Sequence, residues 1–226
     1  MDWFPLYNSL RIAAISTVII FFTGIFAAHH VSRAPRTLKG IVDIILTLPL
    51  VLPPTVVGYL LLRFLGPRRF LGQWFLEIFD LRLTMVWWSA VFATVVVSFP
   101  LMYRTARGAF EAFDPTLRDA GRTLGLSDSY IFWRIQMPSC RQGILAGTVL
   151  AFARALGEYG ASSMLAGYTP DRTATISTTV YQLWRTSNDA LALKWVLVNL
   201  AISSVVLMSV NLIEKNHRMR QQEVLR

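Results

Sequence analysis

Two charged residues lie inside an apolar stretch of this chain. Arg154 and Glu158 are four positions apart in a run rich in Ala, Leu, Phe and Gly, so on a helix they share one face. Charged groups at membrane depth are costly, and they usually pair with each other or face a water-filled cavity. The pair has two interpretations: it lines a pathway for a charged solute, or it only fixes the packing of a helix bundle.

A second group of residues interrupts another apolar run, between positions 44 and 62. Proline removes a backbone donor and clashes one turn back, so the freed carbonyls need neighbouring helices, hydroxyl groups or water. Broken helices at membrane depth occur where they line a pathway. The stretch is therefore a candidate gate or pore lining, and a structural kink packed on its neighbours is the alternative. Its residues are Pro49, Pro53, Pro54 and Thr55.

The remaining reactive side chains predict little chemistry. His29 and His30 are adjacent, so on a helix they do not face each other, and we interpret them as marking a membrane interface. Cys140 is the only cysteine, which excludes an internal disulfide. No Gly-x-x-x-x-Gly-Lys-Ser/Thr phosphate loop occurs in the sequence. We expect no catalytic residue, metal or cofactor in this chain, and we expect that it is not an enzyme.

Composition identifies the elements that must position these residues. The chain has 226 residues, of which 54% are hydrophobic and 15% charged, and its mean hydropathy is +0.47. This balance is typical of an all-α polytopic membrane protein. Connectors at 71–79 and 174–184 predict short interfacial or re-entrant helices. The apolar runs predict about five transmembrane helices in one domain over 1–226, near residues 12–30, 41–64, 83–106, 140–164 and 195–214.

The basic residues predict the orientation of these spans. The formal charge is +9, but Lys and Arg lie mostly in short connections and do not form the single patch that nucleic acid binding requires. Placing residues 33–39, 104–141 and 215–226 on one side gathers most of the cations there, and that side is the cytoplasm. We therefore expect the N-terminus outside, the C-terminus in the cytoplasm and no nucleic acid partner.

The polar segment 115–138 lies between two apolar halves and predicts two short helices joined at a corner. Asp114 can cap the first helix, and Gly125 can end it. Ser127 or Asp128 can cap the second helix, which Pro138 brings to an end or passes on to the next element. The residues Leu117, Ala120, Gly121 and Leu124 fall on one face of the first helix.

This segment resembles the Glu-Ala-Ala motif of bacterial ABC importer permeases. The spacing matches throughout, with Asp for Glu at 119, Gly for Ala at 121 and Met for Leu at 137. The resemblance implies that 115–138 is a cytoplasmic coupling loop seated in a cleft on an ATPase subunit, where small residues let the partner approach closely. The positions that carry it are Asp119, Ala120, Gly121, Gly125, Ile135 and Pro138.

Within that family, the proline-rich stretch and the stretch around Arg154 and Glu158 resemble the molybdate permeases, with Tyr159 where Phe is common. The resemblance implies a permease subunit of an ATP-driven molybdate importer in the bacterial cytoplasmic (inner) membrane. The implied partners are a cytoplasmic ABC ATPase dimer, an extracytoplasmic oxyanion-binding protein and membrane lipid. Because five spans are few to enclose a pathway, we also expect a second copy of the chain, with the pathway on the two-fold axis.

Three alternatives stay open on the sequence. A tungstate or sulfate permease of the same family differs only in its cargo. An ATPase-independent anion carrier would leave the 115–138 segment without a use. A membrane-anchored regulator would use that segment as a DNA-binding helix-turn-helix, but its cations Arg118, Arg122 and Arg134 are nearly offset by Asp114, Asp119 and Asp128.

Overall fold

The computed structural model describes residues 2–224, with side chains described as far as residue 208. The described residues form helices and no strand, which confirms the all-α fold class. The side chains of Lys215, Arg218 and Arg220, and the whole of Arg226, lie outside the described part. The helices in chain order are α1 (Phe4–Ser32), α2 (Arg36–Val51), α3 (Pro54–Leu65), α4 (Phe70–Phe79), α5 (Trp87–Glu111), α6 (Pro115–Thr123), α7 (Asp128–Ile131), a π-helix (Phe132–Gln136), α8 (Met137–Ser139), α9 (Arg141–Leu156), α10 (Gly160–Leu165), α11 (Ile176–Arg185) and α12 (Asp189–Val224).

Among the described residues, three helices are long and apolar enough to cross a membrane by themselves: α1, α5 and α12. They correspond to the first, third and last predicted spans. Helix α1 begins at Phe4, well before the predicted start at 12, because Pro5 is accommodated in the first turn. Helix α12 begins at Asp189, before the predicted start at 195. An acidic residue in the first turn favours that start.

The second predicted span is a broken helix. Helices α2 and α3 are separated by Leu52 and Pro53 and are bent by 112° relative to each other. Both separating residues have extended backbone, which a residue before proline favours. Pro54 begins α3, whereas Pro49 lies inside α2. The predicted interruption is confirmed, and counting this pair as one span gives four candidate spans in the described residues.

The predicted span at 140–164 is divided between two helices. Helix α9 ends at Leu156 and α10 starts at Gly160, so residues 157–159 form a break. Helix α9 has only 16 residues, somewhat fewer than the roughly 20 that a perpendicular crossing needs. Two short helices therefore stand where the sequence pattern predicts the fourth of five spans.

The two connectors contain the helices that the sequence predicts. Helix α4 occupies 70–79 and α11 occupies 176–185. Thr175 caps α11 through a hydrogen bond from the Thr178 N–H, and the Thr178 hydroxyl accepts from the Thr175 N–H in return. This reciprocal capping fixes the start of α11.

The core of the bundle forms where α5 packs against α1 and α9. The side chains of Ile20 and Met102 are fully buried there. Gly143 and Gly147 lie four positions apart on α9, and both allow close packing on α5. A Cβ added at Gly143 would lie 2.6 Å from the Ala109 Cβ, and one at Gly147 would lie 2.9 Å from the Met102 sulfur. The α5–α9 contact therefore depends on glycine.

Gly143→Ala tests this contact, with Gly108→Ala as its control. The Gly143 variant should lower the free energy of unfolding by about 1–3 kcal/mol, because the Ala109 Cβ is too near the backbone to move away. Gly108 is exposed on α5, with nothing within 4 Å of an added Cβ, so Gly108→Ala should stabilise the helix by about 0.5–1 kcal/mol. Thermal unfolding of the detergent-solubilised protein measures both. Equal melting temperatures would contradict the packing described for α9.

Candidate functional site

The polar segment between α5 and α9 folds as its capping residues predict. The Asp114 carboxylate accepts a hydrogen bond from the Thr116 N–H at 2.9 Å, and hydrogen bonds from Thr116 hold the pKa of Asp114 below its usual value. The Ser127 hydroxyl accepts from the Tyr130 N–H at 3.3 Å and caps α7. Gly125 has a φ of 75°, a left-handed conformation that ends α6 and that glycine adopts without strain.

The corner between α6 and α7 is closed by Gly121. This residue is buried, and a Cβ added to it would lie 3.0 Å from Ile131 Cγ1 and 3.6 Å from Ile135 Cδ1. Glycine at 121 therefore serves a contact within the chain, which differs from the expectation that it lets a partner approach. The structure thus brings two predicted site residues, Gly121 and Ile135, together.

The rest of the predicted α6 face is open to solvent. Leu117, Ala120 and Leu124 are exposed, Leu124 to 78% of its surface. Asp119 and Gly125 are exposed beside them, and an added Cβ at Gly125 would meet nothing within 4 Å. The segment therefore presents an exposed surface of mixed polarity on α6, next to the buried contact of Gly121.

Sequence reasoning missed the ion pair that joins the two short helices. The Arg122 guanidinium contacts the Asp128 carboxylate through Nε and Nη2, both at 3.0 Å from Oδ1. Asp119 lies farther from the same guanidinium, at 4.0 Å. Two opposite charges six positions apart, on either side of a turn glycine, were the available signal.

The π-helix connects this segment to α1. Pro138 lacks the N–H that would bond to the Arg134 carbonyl in an α-helix, and the backbone before it has the wider π form. Gln136 is buried within the π-helix and accepts a hydrogen bond from Arg33 Nη2 at 3.3 Å. Pro138 does not end the structure, since α8 passes through Cys140 directly into α9.

The second candidate site is the pair Arg154 and Glu158. Arg154 Nη1 lies 2.6 Å from Glu158 Oε2, and Glu158 Oε1 accepts a hydrogen bond from the Ala161 N–H at 2.7 Å. Glu158 is only 3% exposed. It does not lie on the helix face shared with Arg154 that the sequence predicts. It lies in the break after α9, where its carboxylate caps α10.

The structure brings the proline-rich stretch to this break. A Cβ added at Gly160 would lie 2.9 Å from Pro54 Cβ and 3.0 Å from the Thr55 nitrogen. The starts of α3 and α10 therefore touch, two residues from Glu158. Pro53 and Thr55 are exposed at this junction, whereas Pro49 lies in α2 on the other side of the bend.

Gly58 and Gly160 make this contact possible, and sequence reasoning did not single them out. A Cβ added at Gly58 would lie 2.8 Å from the Ala161 Cα, so α3 and α10 approach backbone to backbone. The only signal was the run of small residues from 160 to 163, which periodicity alone does not assign to a partner helix.

A group of four alternating charges also escaped prediction. Arg107 Nη1 lies 2.7 Å from Asp43 Oδ1, and Lys39 Nζ lies 2.5 Å from Glu111 Oε1. Arg107 Nε is 3.6 Å from the same Glu111 oxygen. These residues, the charged quartet, join α2 to the end of α5. Among the described residues, no group of three or more His, Cys, Asp or Glu side chains is placed to hold a metal ion.

Comparison with known proteins identifies the family. Residues 20–219 match the model of the binding-protein-dependent transport system inner membrane component family. The chain belongs to this family. The predicted class, a permease subunit of an ABC importer in the inner membrane, is therefore confirmed.

Several relatives are similar over nearly the whole chain. The putative molybdenum transport system permease protein YvgM of Bacillus subtilis is 38% identical over 203 residues, covering 90% of this chain and 89% of the relative. The molybdenum transport system permease protein ModB of Escherichia coli K12 is 38% identical over 208 residues, with coverage of 92% and 91%. The sulfate transport system permease protein CysW of Synechocystis is 30% identical, covering 86% of this chain and 71% of the relative.

The fold is shared with a solved importer. The inward-facing MetNI methionine ABC transporter contains a chain that superimposes with a TM-score of 0.73 and 13% identity, covering 94% of each chain. At this identity the likeness shows the fold alone. It supports the reading of α1, α2–α3, α5, α9–α10 and α12 as one permease bundle.

A double-mutant cycle on Arg154 and Glu158 tests their coupling. Glu158→Gln keeps an acceptor for the Ala161 N–H but removes the charge opposite Arg154, so it should lower the free energy of unfolding by about 1–3 kcal/mol. Arg154→Leu leaves Glu158 buried without its cation and should cost a similar amount. The double variant should lose clearly less than the sum, measured by thermal unfolding in detergent. Additivity to within about 0.5 kcal/mol would show that the pair is not coupled.

Proposed function

We propose that this chain is the permease subunit of an ATP-driven molybdate importer, that it forms the pathway as a homodimer, and that it takes its energy from cytoplasmic ATPase subunits. The observation that carries the cargo assignment is the 38% identity, over about nine-tenths of both chains, to two permeases named for molybdenum transport. The sulfate permease is more distant, at 30% identity.

The surface proposed to dock on the ATPase is the exposed side of α6. Leu117, Ala120 and Leu124 provide apolar contact, and Asp119 lies between them in the chain. Next to these exposed side chains, Gly121 packs against Ile131 and Ile135. The Arg122–Asp128 ion pair also joins the two short helices, so the corner has a fixed shape. A rigid corner can transmit a movement of the ATPase to the helices that follow it, whereas a mobile loop would not transmit that movement.

Helix α9 connects this surface to the proposed pathway. The segment continues through α8 into α9 without an intervening loop, and α9 has 16 residues, which span about 24 Å. Its far end carries Arg154 and the break that contains Glu158. Closure of the ATPases would therefore shift the α9–α10 break relative to α3, which is the movement that alternating access requires.

The proposed pathway lies at the α3–α10 junction. Pro53 and Thr55 are exposed on this chain and the Arg154 side chain is 29% exposed, so a second copy is needed to enclose them. Because Glu158 neutralises Arg154 at 2.6 Å, the junction offers an oxyanion a brief contact rather than a high-affinity site. Selection of the cargo then belongs to the extracytoplasmic binding protein.

The contacts support the proposed orientation, with the N-terminus outside and the C-terminus in the cytoplasm. The Arg33–Gln136 hydrogen bond and the charged quartet hold residues 33–43, 107–111 and 136 at one end of the bundle. The basic segments 33–39 and 104–141 therefore lie on the same side, as the distribution of cations predicts. By the positive-inside rule, that side faces the cytoplasm.

The decisive experiment measures ATP hydrolysis by the reconstituted transporter. This chain is combined with its ATPase and its binding protein in lipid vesicles, and molybdate, tungstate and sulfate are compared. We expect stimulation by molybdate or tungstate and none by sulfate. Stimulation by sulfate alone would assign the chain to the sulfate importers. Anion transport without any ATPase complex would replace the proposal with an autonomous carrier.

Gly125→Asp tests the docking surface, with Gly125→Asn as its matched control. Asp and Asn both tolerate the left-handed conformation at 125, and the chain leaves open space there, so both variants should insert and dimerise normally. The aspartate places a charge against the ATPase and should abolish ATP-dependent uptake, whereas the neutral amide should retain more of it. Uptake at the unsubstituted rate by the aspartate variant would refute the assignment of the coupling surface.

A further inference from the structure

A groove lies between the end of α1 and the polar segment that follows α5. Its volume is about 770 Å³, within the range of roughly 300–1,000 Å³ that is usual for ligand sites. Neither the proposed transport pathway nor the α6 docking surface uses it. Helix α1 contributes one wall, and α7, the π-helix and α8 contribute the other.

The walls of the groove are aromatic and open to the side. Phe22, Phe26 and Trp133 are each more than 60% exposed, although they lie where a membrane span ends. The inner wall is completed by Phe132, whose ring stacks edge-on against His29 with centroids 4.3 Å apart. A soluble anion does not require so much apolar surface, whereas an acyl chain would cover it.

One end of the groove carries unneutralised positive charge. Arg33 lines it and donates only to the neutral Gln136. Burial, and after it the charge of Arg118, hold the pKa of Arg33 below its usual value, whereas the charge of Asp128 opposes this shift. Neither arginine forms an ion pair within residues 2–208. Asp128, the acidic residue of the lining, is already paired with Arg122.

We propose that this groove binds one anionic phospholipid of the cytoplasmic leaflet. The phosphate lies at Arg33, and an acyl chain runs along Phe22, Phe26 and Trp133. Cationic side chains at the membrane surface attract anionic lipids, and aromatic rings favour the headgroup level. The choice of leaflet rests on the proposed orientation, whereas the charge and the apolar wall do not depend on it.

The site adjoins the segment that is proposed to contact the ATPase. Arg33 is one hydrogen bond away from Gln136 in the π-helix, so a phosphate bound at Arg33 competes with that bond or shares the guanidinium with it. A lipid in this groove therefore biases the position of the π-helix relative to α1.

Lipid binding by the purified permease alone tests the proposal without any ATPase or cargo. Native mass spectrometry compares phosphatidylglycerol with phosphatidylcholine of identical chains, for the unsubstituted protein and for Arg33→Gln, Arg33→Lys and Arg36→Gln. Arg36 begins α2 nearby and does not line the groove. One cation at the surface corresponds to about a fivefold effect on affinity.

We expect the unsubstituted protein to prefer phosphatidylglycerol by about fivefold or more. Arg33→Gln should abolish most of this preference, while Arg33→Lys and Arg36→Gln should keep it. Equal losses in Arg33→Gln and Arg36→Gln would show general surface attraction and overturn the site. A photoreactive phosphatidylglycerol should label residues of the groove. In the assembled complex, a photoreactive amino acid can be placed at position 133. If it crosslinks to the ATPase instead of to lipid, this face is a protein interface and the lipid site is overturned.

These outcomes separate the two proposals. Lipid preference at Arg33 without cargo-stimulated ATP hydrolysis would leave the lipid site standing and remove the proposed transport function. Cargo-stimulated hydrolysis without lipid preference would support the proposed transport function and remove the lipid site.

Discussion

Inside a membrane every backbone polar group must find a partner within the protein, and this requirement governs the two breaks in this bundle. The break at Leu52–Pro53 and the break at 157–159 lie against each other. Glu158 supplies an acceptor for the Ala161 N–H. Glycines at 58 and 160 let the two interrupted helices pack backbone to backbone. Neither break is tolerable alone at membrane depth, so the α3–α10 contact is the condition for both.

The same contact explains why the polar segment outside the membrane is built rigidly. A junction held by close backbone packing has few positions available to it, and moving it requires a lever that does not bend. In the proposed mechanism, that lever is the continuous path from the α6–α7 corner through the π-helix and α8 into α9. Gly121 and the Arg122–Asp128 pair hold α6 and α7 together at the corner. The glycine contacts between α5 and α9 set the position of α9 in the bundle.

Local signals gave the parts of this fold that depend on neighbours in the chain. The caps at Asp114 and Ser127, the left-handed Gly125 and the proline break in the second span all follow from residue types at short spacing. The division of 140–164 into α9 and α10 did not follow, because Glu158 acts as a cap only when the far helix α3 covers the break. The pairing of Asp43 with Arg107 was equally hidden, since the two residues are more than 60 positions apart in sequence. Gly121 was identified as a small residue, but its use depends on how α7 folds back.

The charged quartet implies that Lys39 and Arg107 have two roles, one in membrane insertion and one in helix packing. Acidic residues contribute little to the choice of orientation during insertion, whereas Lys and Arg contribute strongly. Lys39 and Arg107 therefore exert their full charge while the nascent helices are being threaded into the bilayer. In the folded chain, Asp43 and Glu111 neutralise those charges, so residues that would set the proposed orientation also join α2 to α5. The quartet therefore carries no net charge of its own once α2 and α5 have packed together.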